Sequence, residues 1–195
     1  MPESENYELS HVTFVVLALI SEERCHGKII DEKIEERGMR NWTSIGKSSI
    51  YGVLKKLENE GLVRSWIEEL DNRMIRIYNI TPFGFEVLKK KIKIVIHNYY
   101  GRNDEDFYVA YSMFPYLSKE EQIEMFTHSL NKIKTHKKEL EEMLKENEMY
   151  PMNVTGLFKH PVMILQTNIE FLEWVLEEIM KGKSNFKSNT EENEQ

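Results

Sequence analysis

Cysteine is all but missing from this chain. Cys25 stands alone in 195 residues, which excludes a disulfide framework and fits a reducing compartment. Long apolar runs are missing too: the longest, residues 14–20, is far too short to span a bilayer. The opening MPESENYELS is polar and acidic, unlike a secretory leader. These absences lead us to expect a cytoplasmic protein with no membrane partner. Acids are plentiful, the net charge being −7, yet none occurs in residues 38–57, where Arg40, Lys47, Lys55 and Lys56 lie. The first hundred residues balance acids against bases, so the whole negative excess falls on the remainder. A second basic stretch, 87–103, holds Lys89, Lys90, Lys91, Lys93 and Arg102. Screening over about 8–10 Å hides distant acids, so such patches still attract a polyanion.

The ingredients of catalysis are also absent. Gly46-Lys47-Ser48 has the ending of a phosphate-binding loop, but Asn41 stands where its first glycine is needed. No apolar strand leads into it either, since 39–42 reads Met-Arg-Asn-Trp. Cys25 and His26 are neighbours in sequence with no third group to orient them. His128 and His136 are too widely spaced, and too few, for a zinc site. We therefore expect no enzyme, no cofactor and no metal.

What the sequence does hold is periodicity. A nearly continuous apolar stretch in 7–23 is rich in β-branched residues, but its length and Ser10 as N-cap favour a buried helix. Ile29, Ile30 and Ile34 then mark one face of a second helix, closed by Gly38. Ile50, Val53, Leu54 and Leu57 mark a third, ended by Gly61, whose outer face carries Lys47, Ser49, Tyr51, Lys55 and Lys56. Residues 62–68 and 74–80 read as two strands joined by a turn at Asp71-Asn72-Arg73. Thr81-Pro82 opens a further helix that reaches about Tyr100. Three helices, a ribbon and a helix in that order make a winged helix-turn-helix.

Beyond the turn signal at 101–104 the chain reads as helical. Ile123, Phe126, Leu130, Ile133, Leu140 and Leu144 follow a 3-4 spacing broken only at Lys137. Residues 150–161, with Pro151 and Pro161, read as a connector. Leu165, Ile169, Leu172, Leu176 and Ile179 then continue the spacing. Such seams pack lengthwise against each other or against a partner. The expected domains are 1–100, a winged helix-turn-helix, and 101–182, a coiled-coil-like helical dimerisation domain. A disordered tail, 183–195, follows. The fold class is thus mainly α with a small two-stranded β wing.

Residues 9–85 resemble the DNA-binding domain of PadR-like transcriptional regulators. The likeness lies in the apolar first helix closing on Cys25-His26-Gly27, in Ser49-Ile50-Tyr51 with Leu54, Leu57 and Gly61-Leu62-Val63, and in Tyr78, Ile80-Thr81 and Gly84. The helical remainder is similar to the dimerisation domain of the longer members. Two departures stand out. Lys28 replaces the tyrosine usual after His-Gly, and the wing's basic run is thinned to Arg73 and Arg76. The resemblance implies a sequence-specific regulator, a homodimeric repressor of double-stranded DNA, relieved by a small aromatic or lipophilic effector. Its DNA contacts would be Lys47, Ser48, Ser49, Tyr51, Lys55, Lys56, Arg73 and Arg76. Its dimer contacts would be Ile123, Phe126, Leu130, Ile133, Leu165, Ile169, Leu172, Leu176 and Ile179. Read from the residues alone, the aromatic set Tyr99, Tyr100, Phe107, Tyr108, Tyr111, Phe114 and Tyr116 offers the lining of an effector pocket, although aromatics at helical spacing more often form plain core or dimer packing. The acidic C-terminal half and thin wing leave a second reading, a winged-helix protein-interaction module without specific DNA affinity.

Overall fold

A computed structural model of the chain describes residues 7–43, 45–102, 104–146 and 149–184. Along it run α1 (His11–Glu22), α2 (Gly27–Glu36), a 3-10 turn (Met39–Asn41), α3 (Lys47–Asn59), β1 (Val63–Leu70) and β2 (Arg73–Ile80). Then come α4 (Pro82–Asn98), α5 (Glu105–Met113), a second 3-10 turn (Phe114–Tyr116), α6 (Lys119–Glu146) and α7 (Met152–Met180). The mainly helical architecture with one two-stranded wing is as the periodicity predicts. The chain divides into two compact units, residues 1–94 with 105–113, and residues 95–104 with 114–195. The boundary expected after residue 100 falls inside the 95–104 segment. The expected tail, from 185 onward, lies outside the described residues. Among the described residues no helix is long and apolar enough to cross a membrane.

In the first unit α1 is the hub. Every side chain from Thr13 to Ile20 is buried, against α2, α3, β2 and α5. A helix satisfies its own backbone polar groups, so burial on all sides overrides the strand propensity of its Val, Ile and Thr. Glu22 at its end receives Arg37 at 2.5 and 2.7 Å and Lys33 at 3.1 Å, fastening α2 to α1. Burial works against the charge of Glu22, yet these cations hold its carboxyl below the usual range.

The wing pairs Val63 with Ile80 through to Leu70 with Arg73. Its turn residues Asp71 and Asn72 both take positive φ, 51° and 59°, the geometry that matches the twist of a tight hairpin. At the root, Cys25 and Tyr78 exchange both backbone hydrogen bonds, at 3.0 and 2.8 Å. Burial pushes the Cys25 thiol up to about 11, so it stays protonated near neutrality. Thr81 caps α4: its hydroxyl accepts from the Gly84 N–H at 3.0 Å and donates to the Gly61 carbonyl at 2.7 Å.

In the second unit α6 and α7 lie along one another. Phe126, Leu130, Ile133, Leu165, Ile169, Leu172, Val175 and Ile179 are buried, and Lys134 meets Glu173 at 2.6 Å. Phe126 sets its ring edge-on to Phe114, 5.2 Å between centroids. The Tyr99 hydroxyl donates to Asn168 Oδ1 at 2.7 Å. The break in the seam, Lys137, turns to Glu141 at 2.7 Å. The connector expected over 150–161 is instead largely helix, since α7 starts at Met152 and passes through Pro161. Pro161 leaves the Leu157 carbonyl without its helical donor, but Leu157 is well exposed, so water can take that place.

Candidate nucleic-acid interface

Helix α3 turns Ile50, Leu54 and Leu57 into the core, each fully buried. The same rotation leaves Lys47, Ser49, Tyr51, Lys55 and Lys56 exposed on one side. The side chain of Ser48 lies outside the described residues. Gly46 precedes the helix and offers no side-chain cap. The Ser49 N–H turns back to the Gly46 carbonyl at 3.1 Å; with no side-chain cap, the positive end of the helix dipole ahead of it favours an anion.

Three arrangements hold this end of α3 in place. The Tyr51 ring lies over Gly27, where an added Cβ would stand 2.8 Å from Cε1; glycine lets the ring pass close while the side chain stays 61% exposed. Thr43, just ahead of α3, shares a short hydrogen bond with His11 Nε2. His11 Nδ1 meets Asp106 of α5 at 2.7 Å, and Lys91 of α4 meets Asp106 at 2.6 Å. Burial works against Asp106, but His11 and Lys91 hold its carboxyl below the usual range. Finally, Asp31 of α2 lies against Arg40 and reaches Lys47 Nζ at 3.3 Å. Desolvation opposes its charge, yet hydrogen bonds from Arg40 and Lys47 hold that carboxyl low as well.

The wing sets Arg76 beside α3. Its guanidinium meets Glu58 Oε2 at 3.6 Å and donates to Ser65 Oγ at 3.0 Å. Arg73 is exposed next to the turn. Lys55 and Arg73 make no ion pair among the described residues, and Lys56 reaches Glu60 only at 4.0 Å. The eight expected contact residues thus fall into a group on α3 and a pair on the ribbon, with Arg76 bridging toward α3 through Glu58.

Residues 16–90 match the model of the transcriptional regulator PadR-like family. Over these residues the chain is similar to the PadR-like family of transcriptional regulators. The chain is also similar to Bacillus subtilis PadR in complex with operator DNA, at 22% identity over 87% of this chain and 99% of that one, TM-score 0.42. The same protein in complex with p-coumaric acid matches at 22% identity over 88% and 99%, TM-score 0.37. The protein smu.1704 from Streptococcus mutans UA159 matches at 28% identity over 43% and 76%, TM-score 0.35. None of the curated proteins matches.

The PadR-like family is one of DNA-binding regulators and not of enzymes. The winged unit of this chain also carries a half-open pocket of about 170 Å³, whose lining includes Val15, Ala18, Arg37, Trp42, Tyr108 and Met113. Of the seven aromatics expected around a pocket, only Tyr108 lines it. Phe107 and Tyr111 pack near Tyr108 in the same unit, while Tyr99, Tyr100, Phe114 and Tyr116 belong to the second unit. Trp42 was not foreseen there, because only the fold brings α5 against the turn after α2. Of the nine residues expected at a dimer contact, Phe126, Leu130, Ile133, Leu165, Ile169, Leu172 and Ile179 are buried within one chain, and Ile123 and Leu176 are half-buried. A separate stripe on α7 stays open: Leu157, Met163, Ile164 and Trp174 are exposed, with the Phe171 ring 6.0 Å from Trp174. Among the described residues no cluster of three His, Cys, Asp or Glu side chains could hold a metal.

Proposed function

We propose that the protein is a cytoplasmic, sequence-specific DNA-binding repressor that acts as a homodimer. The observation that carries this reading is the outer face of α3, which holds no acid before Glu58 and exposes Lys47, Ser49, Tyr51, Lys55 and Lys56 beside a helix N-terminus with no side-chain cap. Placed in the major groove, that end meets phosphate, Tyr51 reaches a base edge or backbone oxygen, and the lysines follow the groove. Arg73 and Arg76 bring the wing toward the flanking backbone. Substituting Lys55 and Lys56 by alanine together is expected to lower operator affinity roughly tenfold and to flatten the salt slope by about four units per dimer. Fluorescence anisotropy against genomic fragments selected by the wild-type protein checks this. Unchanged affinity removes α3 from the interface.

One observation favours the second reading, a protein-interaction module. The wing tip exposes Ile67, Leu70 and Met74 next to Glu69 and Asp71, a surface poorly matched to phosphate. Wild-type protein that binds no genomic fragment in a salt-sensitive way would decide for that module.

The cavity beside Trp42 and Tyr108 is our choice of effector site, for a single-ring aromatic or a small lipophile. Its volume suits that class, since a cavity of about 150 Å³ binds benzene. The ligand would act by favouring one arrangement of Trp42 and α5 over another. p-Coumaric acid, bound by Bacillus subtilis PadR, serves as the first probe. Ala18→Leu, which fills the cavity, is expected to abolish its calorimetric binding while the protein still melts cooperatively. Heat retained in that variant moves the site elsewhere; no heat in the wild type with a panel of such aromatics ends the effector reading.

A further inference from the structure

We propose that Asp31 and Glu58 are built-in competitors for DNA phosphate, each holding a cation of the recognition surface until the backbone of DNA displaces it. This rests on the DNA-binding reading above and adds a mechanism for selectivity. Asp31 touches Arg40 and, at 3.3 Å, Lys47, the first residue of α3. Glu58, near the other end of α3, holds Arg76 at 3.6 Å and accepts from Ser65 Oγ at 2.5 Å. Two of the cations expected on DNA are thus already neutralised, one at each end of the helix.

The geometry has the features of exchangeable pairs and not of structural ones. The Lys47 side chain is 76% exposed and that of Arg76 53%, so each can swing to a phosphate without unpacking. Their partners are more enclosed, at 21% and 32%, and stay behind as fixed charges. Asp31 has a further anchor in Arg40, whose Nη1 is buried with no partner among the described residues. A carboxylate left in place repels a phosphate that fails to reach full contact. Loose, non-specific encounters bear that repulsion, whereas an aligned site compensates it with further contacts along α3. Asp31 and Glu58 are positioning residues in this account, and neither touches a base.

The test uses full-length protein carrying Asp31→Asn, Glu58→Gln or both. Each change removes the charge and keeps an oxygen acceptor for Arg40 or Ser65. Glu124→Gln, an exposed acid on α6, controls for the change in net charge. Random-sequence duplex DNA and a heparin column are the probes, with the salt stepped in both. Each variant is expected to bind random DNA about two- to fivefold tighter than the control, and to leave heparin at higher salt. Asp31→Asn and Glu58→Gln indistinguishable from Glu124→Gln on both probes overturn the proposal, as does weakened binding with an unchanged melting temperature. If Asp31→Asn fails to fold, Glu58→Gln decides alone. The heparin comparison also reads the competition if wild-type protein proves to have no operator, so the two ideas fail separately.

Discussion

Replacing Gly84 by alanine is expected to lower the melting temperature of the winged unit by about 10–20 °C, from a loss of roughly 3 kcal/mol. The residue opens α4 directly over the Leu62 carbonyl, and an added Cβ would overlap that oxygen outright and come within 3.1 Å of Ile80 Cγ1. The carbonyl cannot retreat cheaply. It accepts the Thr81 N–H at 3.0 Å and lies 3.1 Å from the Thr81 hydroxyl oxygen, so moving it disturbs the cap that starts the helix. Gly52 provides the internal contrast. Nothing lies within 4 Å of a Cβ built there, so Gly52→Ala is expected to be neutral or to stabilise by about 0.4–1 kcal/mol. Circular dichroism melts of the two variants settle the matter, and equal melting temperatures would refute the close-approach argument.

The second large effect concerns assembly. Ile164→Glu combined with Trp174→Glu places two charges on the open stripe of α7 while leaving the α6–α7 packing untouched. The expected outcome is a halved mass in light scattering with helicity retained. Operator affinity should fall about a hundredfold or more, because two half-sites are no longer gripped by one linked pair of α3 helices. Ile169→Glu separates the two faces of α7. Ile169 is only 6% exposed, and a charge there has no partner to offset its desolvation, so that variant should lose folded structure outright. An unaltered mass for the double variant would remove this stripe from the proposed homodimer contact.

Much of the fold is legible in the sequence because most of its helices are one-sided. In α2 and α3 the apolar residues recur at the helical period, and glycines close both ends: Gly38 and Gly61 take φ of 61° and 73°. The ribbon shows itself through β-branched residues on either side of Asp71-Asn72. Helix α1 is ambiguous for a physical reason. A helix buried all round has no polar face, so its pattern carries no period. Pro161 misleads in the opposite sense, because its cost is set by whether water reaches one carbonyl, which no local pattern encodes.

The candidate site is legible only in part. The outward residues of α3 follow from the inward ones by geometry, and they stand out further because acids are missing around them. Asp31, His11 and Gly27 give no such signal. Asp31 comes near Lys47, His11 near Asp106, and Gly27 under Tyr51, only once separate helices have packed together. The seam residues illustrate the same limit from the other side. A 3-4 spacing says that a helix needs a neighbour and not whether the neighbour belongs to the same chain.

The exchange of hydrogen bonds between Cys25 and Tyr78 has a consequence for the entropy of binding. It clasps the wing at its root to the end of α1, while the turn at Asp71 and Asn72 is held by the ribbon alone. Arg76, nearer the base and already ordered against Ser65 and Glu58, loses little side-chain freedom on meeting a phosphate but must give up its pair with Glu58 to do so. Arg73, beside the turn, must surrender about 0.5–1.5 kcal/mol of side-chain freedom to do the same. The two wing arginines are chemically alike, yet the contact costs one a broken ion pair and the other its side-chain freedom.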